Sequence, residues 1–452
     1  MMQPPYSTPC ALVRPARRAR RRFRGGRACL AILAGIGLSA CDPHREPVPR
    51  EESIAMRSAE SHATIAVSLG EGTTCATLVA GQAKCWGRGD EGRLGRGTGE
   101  ASDEVWAAAA DFVSLGFPAT EVVTNGAQTF ALLADGRVRA FGVNSGQELG
   151  LGHPETVGDD ETPSDASVST VVPLAGPSQQ VVAGEEFACA RLDDGRVQCW
   201  GRGDAGQLGR DAGPGVHGPE DVSLGGPVVE ITAGVAHACA RRQTGAIRCW
   251  GLGDRGQLGY GVAALPGSTP ASVGDVPLGG VATAVVAGGD HTCALLLDGQ
   301  VRCWGDNEYG QLGYGHTLVI GDDETPAMVG DVALGGAAVS VVAGLRHTCA
   351  LLDEGTVRCW GEGASGQLGL GSVESVGDDE TPVEVAAVEL SGVEAIFTNA
   401  LAEHTCALRG DGALRCWGLN EHGQLGLGWV DPGVEGPPGE LPDVIVVEDP
   451  DL

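Results

Sequence analysis

Short stretches in which apolar and polar residues alternate recur along most of the chain. In "HTCALLLDGQVRCWGDNEYGQLG", from His291 to Gly313, positions Cys293, Leu295, Val301 and Cys303 fall on one side of such an alternation. A period of two is the signature of a pleated strand with one face buried. An Asp-Gly divides the stretch into two strands. The three-residue loop Leu297-Asp298-Gly299, two helical residues followed by Gly in the left-handed region, closes a hairpin with Leu296 and Gln300 as its last pair. Counting outward, Leu295 then faces Val301 and Cys293 faces Cys303. The Gly of this turn recurs seven times, at Gly81, Gly136, Gly195, Gly245, Gly299, Gly355 and Gly412. Upstream runs such as Ala284 to Gly288 and Ser340 to Gly344 read as a further strand. Downstream, the Gly-Gln-Leu-Gly turn leads through a variable loop to another, as in Thr325 to Leu334. Seven copies of three or four strands follow at spacings of 50 to 59 residues with no convincing helical periodicity between them. Small antiparallel sheets of that number bury both faces when set as blades around an axis. The expected fold is all-β, a seven-bladed β-propeller of antiparallel blades.

Cysteine usage sharpens this picture. Apart from Cys10, Cys29 and Cys41, the twelve remaining cysteines form pairs ten residues apart: Cys75 and Cys85, Cys189 and Cys199, Cys239 and Cys249, Cys293 and Cys303, Cys349 and Cys359, Cys406 and Cys416. The copy from Gln128 to Gly150 has Phe130 and Ala140 at the two positions, so both partners are missing together. A bond within each copy predicts paired absence, whereas zinc knuckles place two to four residues between their cysteines and not nine. Directly opposed cysteines at a non-hydrogen-bonded pair are close enough to bridge. Each bridge should contribute roughly 2–3 kcal/mol by closing so small a loop, and six imply an oxidising compartment. The aromatic residue after each second position (Trp86, Trp200, Trp250, Trp304, Trp360, Trp417; Phe141 in the odd copy) points to the opposite face, where it fills the space between blades.

Charge and the N-terminus bear on location. The formal charge is −29, and residues 1–40 hold eight Arg and no acid, so the rest carries 22 basic against 59 acidic residues, or −37. Such a chain repels phosphate backbones, which argues against nucleic acid and for cationic partners. The Arg-rich run precedes an apolar segment, Ala28 to Ala40, that is too short to span a bilayer. It reads as a signal peptide (1–40). Leu38-Ser39-Ala40-Cys41 resembles the bacterial lipoprotein lipobox, which implies that Cys41 is acylated and anchors an exported protein to a membrane of the cell envelope. Residues 41–61 are polar and Pro-bearing, a flexible tether, and 62–452 hold the propeller.

The succession A-G-x-x-H-T-C-A-L, D-G-x-V-R-C-W-G and G-Q-L-G resembles the regulator of chromosome condensation repeat, whose seven copies form a seven-bladed propeller. The resemblance covers nearly all of the expected mature chain. It also implies that strands from both ends fasten the ring, with Ala63 to Leu69 and Asp443 to Val447 as candidates. The family includes a nuclear exchange factor for a small GTPase, a plant ultraviolet photoreceptor and secreted bacterial β-lactamase inhibitors. What it implies in common is a scaffold presenting loops to protein partners. The export signal and negative charge argue against nuclear exchange activity. The photoreceptor's Gly-Trp-Arg-His-Thr signature meets Gly344-Leu345-Arg346-His347-Thr348, with Leu345 in place of Trp.

Catalysis finds little support. His237, His291, His347 and His404 each precede a cysteine by two residues and repeat with the blade, which suits a structural hydrogen bond better than a catalytic role. No phosphate-binding Gly-rich loop and no nucleophile elbow is present. The remaining unusual feature is "GDDETP", at 158–163, 321–326 and 377–382. Its acids (Asp159, Asp160, Glu161; Asp322, Asp323, Glu324; Asp378, Asp379, Glu380) either face water in a turn from which Thr-Pro starts the next strand, or hold Ca2+ or a basic patch of a partner. The sequence thus favours a non-enzymatic envelope scaffold that binds a protein or a surface glycan through loops on one rim, without a cofactor. A hydrolase or lyase assembled from those loops is the alternative.

Overall fold

The computed structural model describes residues 64–98, 106–165, 167, 169–262, 269–431 and 436–447. The leader, Cys41 and the tether lie outside the described residues. Why these residues form blades is seen in the fifth repeat. Strands Ala282–Ala287, His291–Leu296 and Val301–Gly305 pair antiparallel, with Leu295 against Val301 and Cys293 against Cys303. Gly299, at φ +82°, donates its N–H to Leu296 O, and Leu296 N–H to Gln300 O. Both middle-strand faces are buried because a neighbouring blade packs on each side.

Seven such sheets occupy 64–87, 119–142, 178–221, 228–251, 282–305, 338–361 and 393–418. Each is three-stranded except the third, to which Val216–Asp221 adds a fourth strand. The first strand of each blade lies at the axis and the third outermost; consecutive blades touch, and the first touches the seventh. The ring is therefore closed. Among the described residues no helix is long and apolar enough to cross a membrane.

Six disulfides join the expected pairs, each within one hairpin, with Cα atoms 4.0–4.1 Å apart. In the second blade Phe130 and Ala140 face one another in their place, and the Phe130 ring meets Trp200 edge-on at 5.7 Å. The six repeat Trp are buried, and five donate Nε1–H to the carbonyl of the residue at the Gln position of the preceding blade's turn, as Trp304 does to Gln257 O at 3.0 Å. Trp200 Nε1 has no such partner.

Two expectations need correction. Thr325 to Leu334 is no strand: Pro326, at the first helical position behind an extended Thr325, starts the short helix Pro326–Val329. Only Val332 then bonds back, to Val301 O. Likewise Asp443 to Val447 forms no strand and contributes one bridge, Leu414 to Val444. The two candidate segments therefore do not share a blade: Thr64–Gly70 belongs to the first, and Val444 bridges to Leu414 of the seventh.

The second blade also departs from the rule in its turn. Gln147 stands at φ +70° where Gly206 and Gly310 stand in other copies. Left-handed geometry strains a residue with a Cβ, so Gln147→Gly should raise stability by about 1 kcal/mol. Urea denaturation of the two proteins side by side would check this, with an unchanged or lower midpoint counting against it.

Candidate functional site

The repeated histidines are structural. Each ring is buried, and Nε2 reaches the threonine hydroxyl of the next blade: His237 to Thr292, His291 to Thr348 and His347 to Thr405 at 2.9 Å, and His404 to Thr74 at 2.7 Å. Each hydroxyl donates its own proton to a turn carbonyl, of Gln257, Gln311, Gln367 and Gln424 respectively. The hydroxyl must then accept from the imidazole, so the proton sits on Nε2. Burial pushes these imidazoles down, to about 4 for His237 and His347 and about 3 for His291 and His404. Neutral and enclosed, they cannot serve a substrate as general bases. The last of the four relays joins the seventh blade to the first.

The acidic motif has a place as well. Gly158, Gly321 and Gly377 accept backbone N–H bonds from Gly97, Gly261 and Gly315, so each "GDDETP" loop clamps the turn of the preceding blade. Asp159, Asp160 and Glu161 bring carboxylate oxygens within 4.8 Å of one another, as do Asp322, Asp323 and Glu324, and Asp378, Asp379 and Glu380. Partial burial, then a hydrogen bond that the protonated Glu donates to the neighbouring Asp and the charges of both Asp, push Glu161, Glu324 and Glu380 up to about 7. A shared proton satisfies such a triad. Three carboxylates could also supply part of the six to eight oxygens that Ca2+ takes. Thr325-Pro326 leads from its loop into a helical turn and not into the next strand.

A different set of acids converges on the axis. The loops joining first to middle strands all emerge on one face and are knitted together: Glu185 N–H bonds to Val235 O, Val235 to Gly289 O, Gly289 to Leu345 O and Leu345 to Ala402 O. These loops carry Glu71, Glu185, Glu186, Asp290 and Glu403. Glu185 is held above the usual carboxylate range by burial, then by the charges of Glu186, Glu71 and Asp290. Burial and the charges of Glu362, Glu421 and Glu71 do the same to Glu403, while Asp290 is raised by burial and by Asp306 and Asp254 against Arg255. Acids on alternate blades thus feel one another across the opening. Arg88, Arg202, Arg255 and Arg346 offset part of this charge, but Glu185, Asp290 and Glu403 form no ion pair among the described residues.

Towards the opposite face, four of the blades carry arginine–aspartate pairs. Arg196 meets Asp221 at 2.9 Å, Arg248 meets Asp275 at 2.7 Å, Arg302 meets Asp331 at 2.6 Å and Arg415 meets Asp443. The loop side of the ring therefore holds Glu185, Asp290 and Glu403 near the axis with no ion-pair partner among the described residues. Sequence reasoning passed over the axial acids because they occupy non-equivalent positions in loops that differ from copy to copy. The only signal was an overall charge with no address.

Comparison with known proteins adds the following. The RCC1-like domain family matches residues 110–442. The ultraviolet-B receptor UVR8 of Arabidopsis thaliana is 30% identical over 350 residues, 77% of this chain and 76% of the receptor. The human E3 ubiquitin-protein ligase HERC2 is 28% identical over 318 residues, 67% of this chain but only 6% of the ligase. Yeast RCC1 (Prp20), solved with Kap60 bound to it, superposes with a TM-score of 0.64 at 18% identity, covering 91% of each chain.

Proposed function

The chain belongs to the RCC1-like domain family, and from that premise we propose that it is a non-enzymatic binding scaffold of the bacterial cell envelope that receives a basic protein partner on its acidic loop face. The observation that carries this reading is the convergence of Glu71, Glu185, Asp290 and Glu403 on one opening, three of them with no ion-pair partner among the described residues. Electrostatic complementarity of that kind selects and steers a cationic partner. Yeast Prp20, of the same fold, engages Kap60, which supports a protein as the partner class. Export and a lipid on Cys41 follow from the leader, and six disulfides suit an oxidising compartment. Light sensing is not carried over from the plant receptor: the six repeat Trp are enclosed between blades, five with Nε1–H engaged by carbonyls. Ligase activity is not carried over from a match confined to 6% of HERC2.

Photo-crosslinkers placed at Glu185 and Glu403, and for comparison at Asp298 and Asp411 in the hairpin turns, distinguish the faces in native envelopes. Adducts with a protein of basic character should form from the first pair alone and fade as salt screens the charges. Adducts from the hairpin turns, or glycan instead of protein on the loop face, would overturn the reading. In the same strain Cys41→Ser should release the ring from the membrane fraction.

A further inference from the structure

Along the axis runs a cavity of about 290 Å3 lined by the first strands of the blades. Its wall is layered. Val123, Val182, Val286 and Val342, with Ser68 and Thr232 at the same level, form a mainly apolar belt towards the loop face, and Glu121, Gln180 and Glu230 lie at equivalent strand positions below it. Two of these three polar groups are engaged. Glu230 pairs with Arg241 at 2.6 Å, and Gln180 exchanges hydrogen bonds with the backbone of Ile231 at 2.9 and 3.0 Å. Glu121 is different: its carboxylate has no hydrogen bond or ion pair with any described residue.

We propose that this axial cavity binds a small aliphatic ammonium ion, its alkyl part against the valine belt and its charge on Glu121. One free carboxylate offers too few oxygens for Ca2+, whereas an ammonium group needs one counter-charge and can share its other protons with water. The volume lies at the lower end for small-molecule sites and leaves room for a short alkyl chain. Acidic loops at the opening concentrate cations there. Burial alone pushes Glu121 up to about 7, as an isolated carboxylate in an enclosed site should be, and a bound cation would relieve that penalty. The ammonium could belong to a free amine or to a lysine side chain. The inference does not rest on the partner assigned to the loop face.

Calorimetry on the full chain with n-butylammonium, and separately with N-acetyl-lysine amide, tests it. Saturable heat with the first alone indicates a free amine; with both, a lysine is admitted as well. Either should weaken at least about tenfold in Glu121→Gln, which mimics the protonated acid and should fold as the parent does. Independently of any variant, the Glu121 carboxyl resonance in the parent should titrate at lower pH once n-butylammonium is added. No saturable heat from either probe, equal binding by Glu121→Gln, or an unmoved Glu121 titration would overturn the proposal.

Discussion

Treated with a reductant able to open all six hairpin disulfides, the ring should lose its cooperative fold near ambient temperature. Each bond closes a loop of about ten residues and so removes about 2–3 kcal/mol of unfolded-state freedom. Six together remove about 12–18 kcal/mol, as much as the whole net stability of an ordinary domain, about 5–15 kcal/mol. Thermal melts with and without reductant would read this as a collapse of the midpoint. Replacing Cys239 and Cys249 together by Ala should cost about 2–3 kcal/mol, and so should the same change in another blade. A reduced ring that melts within a few degrees of the oxidised one would show that blade packing alone suffices.

The second large effect concerns acid. His404 is neutral in the ring, held down to about 3, but titrates near the ordinary 6.5 once unfolded. The unfolded chain therefore binds the extra proton between these values, and the contribution of His404 is complete above pH 6.5 and lost as pH falls towards 3. His404→Gln removes the bond to Thr74 at the closing joint and should destabilise by about 1–3 kcal/mol at pH 7.5. That cost should shrink by about 1.4 kcal/mol for each pH unit below 6.5. Denaturant midpoints at several pH values would show it; a cost independent of pH would mean that the imidazole is not held neutral. Glu121, Glu161, Glu324 and Glu380, raised to about 7, act in the opposite sense between their unfolded value and 7. Acid loss in the whole protein should therefore set in late, near pH 4.5.

How much of this was legible in the sequence depends on whether a feature repeats. Cys293 opposite Cys303, the turn at Gly299 and the buried Trp304 recur in copy after copy, so spacing and alternation sufficed to place them. Thr325 to Leu334 misled because its alternation continues through Pro326, whose ring favours a helical start over a ladder. Glu121 was invisible for another reason: Ala284 and Ser340 hold its position in other blades, and only the third dimension gathers these positions around one axis. The role of "GDDETP" as a clamp was hidden too, since its contacts belong to the blade before it in the ring.

Among the described residues no disulfide spans two blades, and the joint between the seventh and the first uses the same imidazole, hydroxyl and carbonyl as three joints that the chain itself connects. The break in the polypeptide is thus mechanically ordinary. The wheel resembles a barrel of separately riveted staves under one hoop. Strain applied around the circumference would part it at whichever seam is poorest in contacts, leaving the individual staves intact.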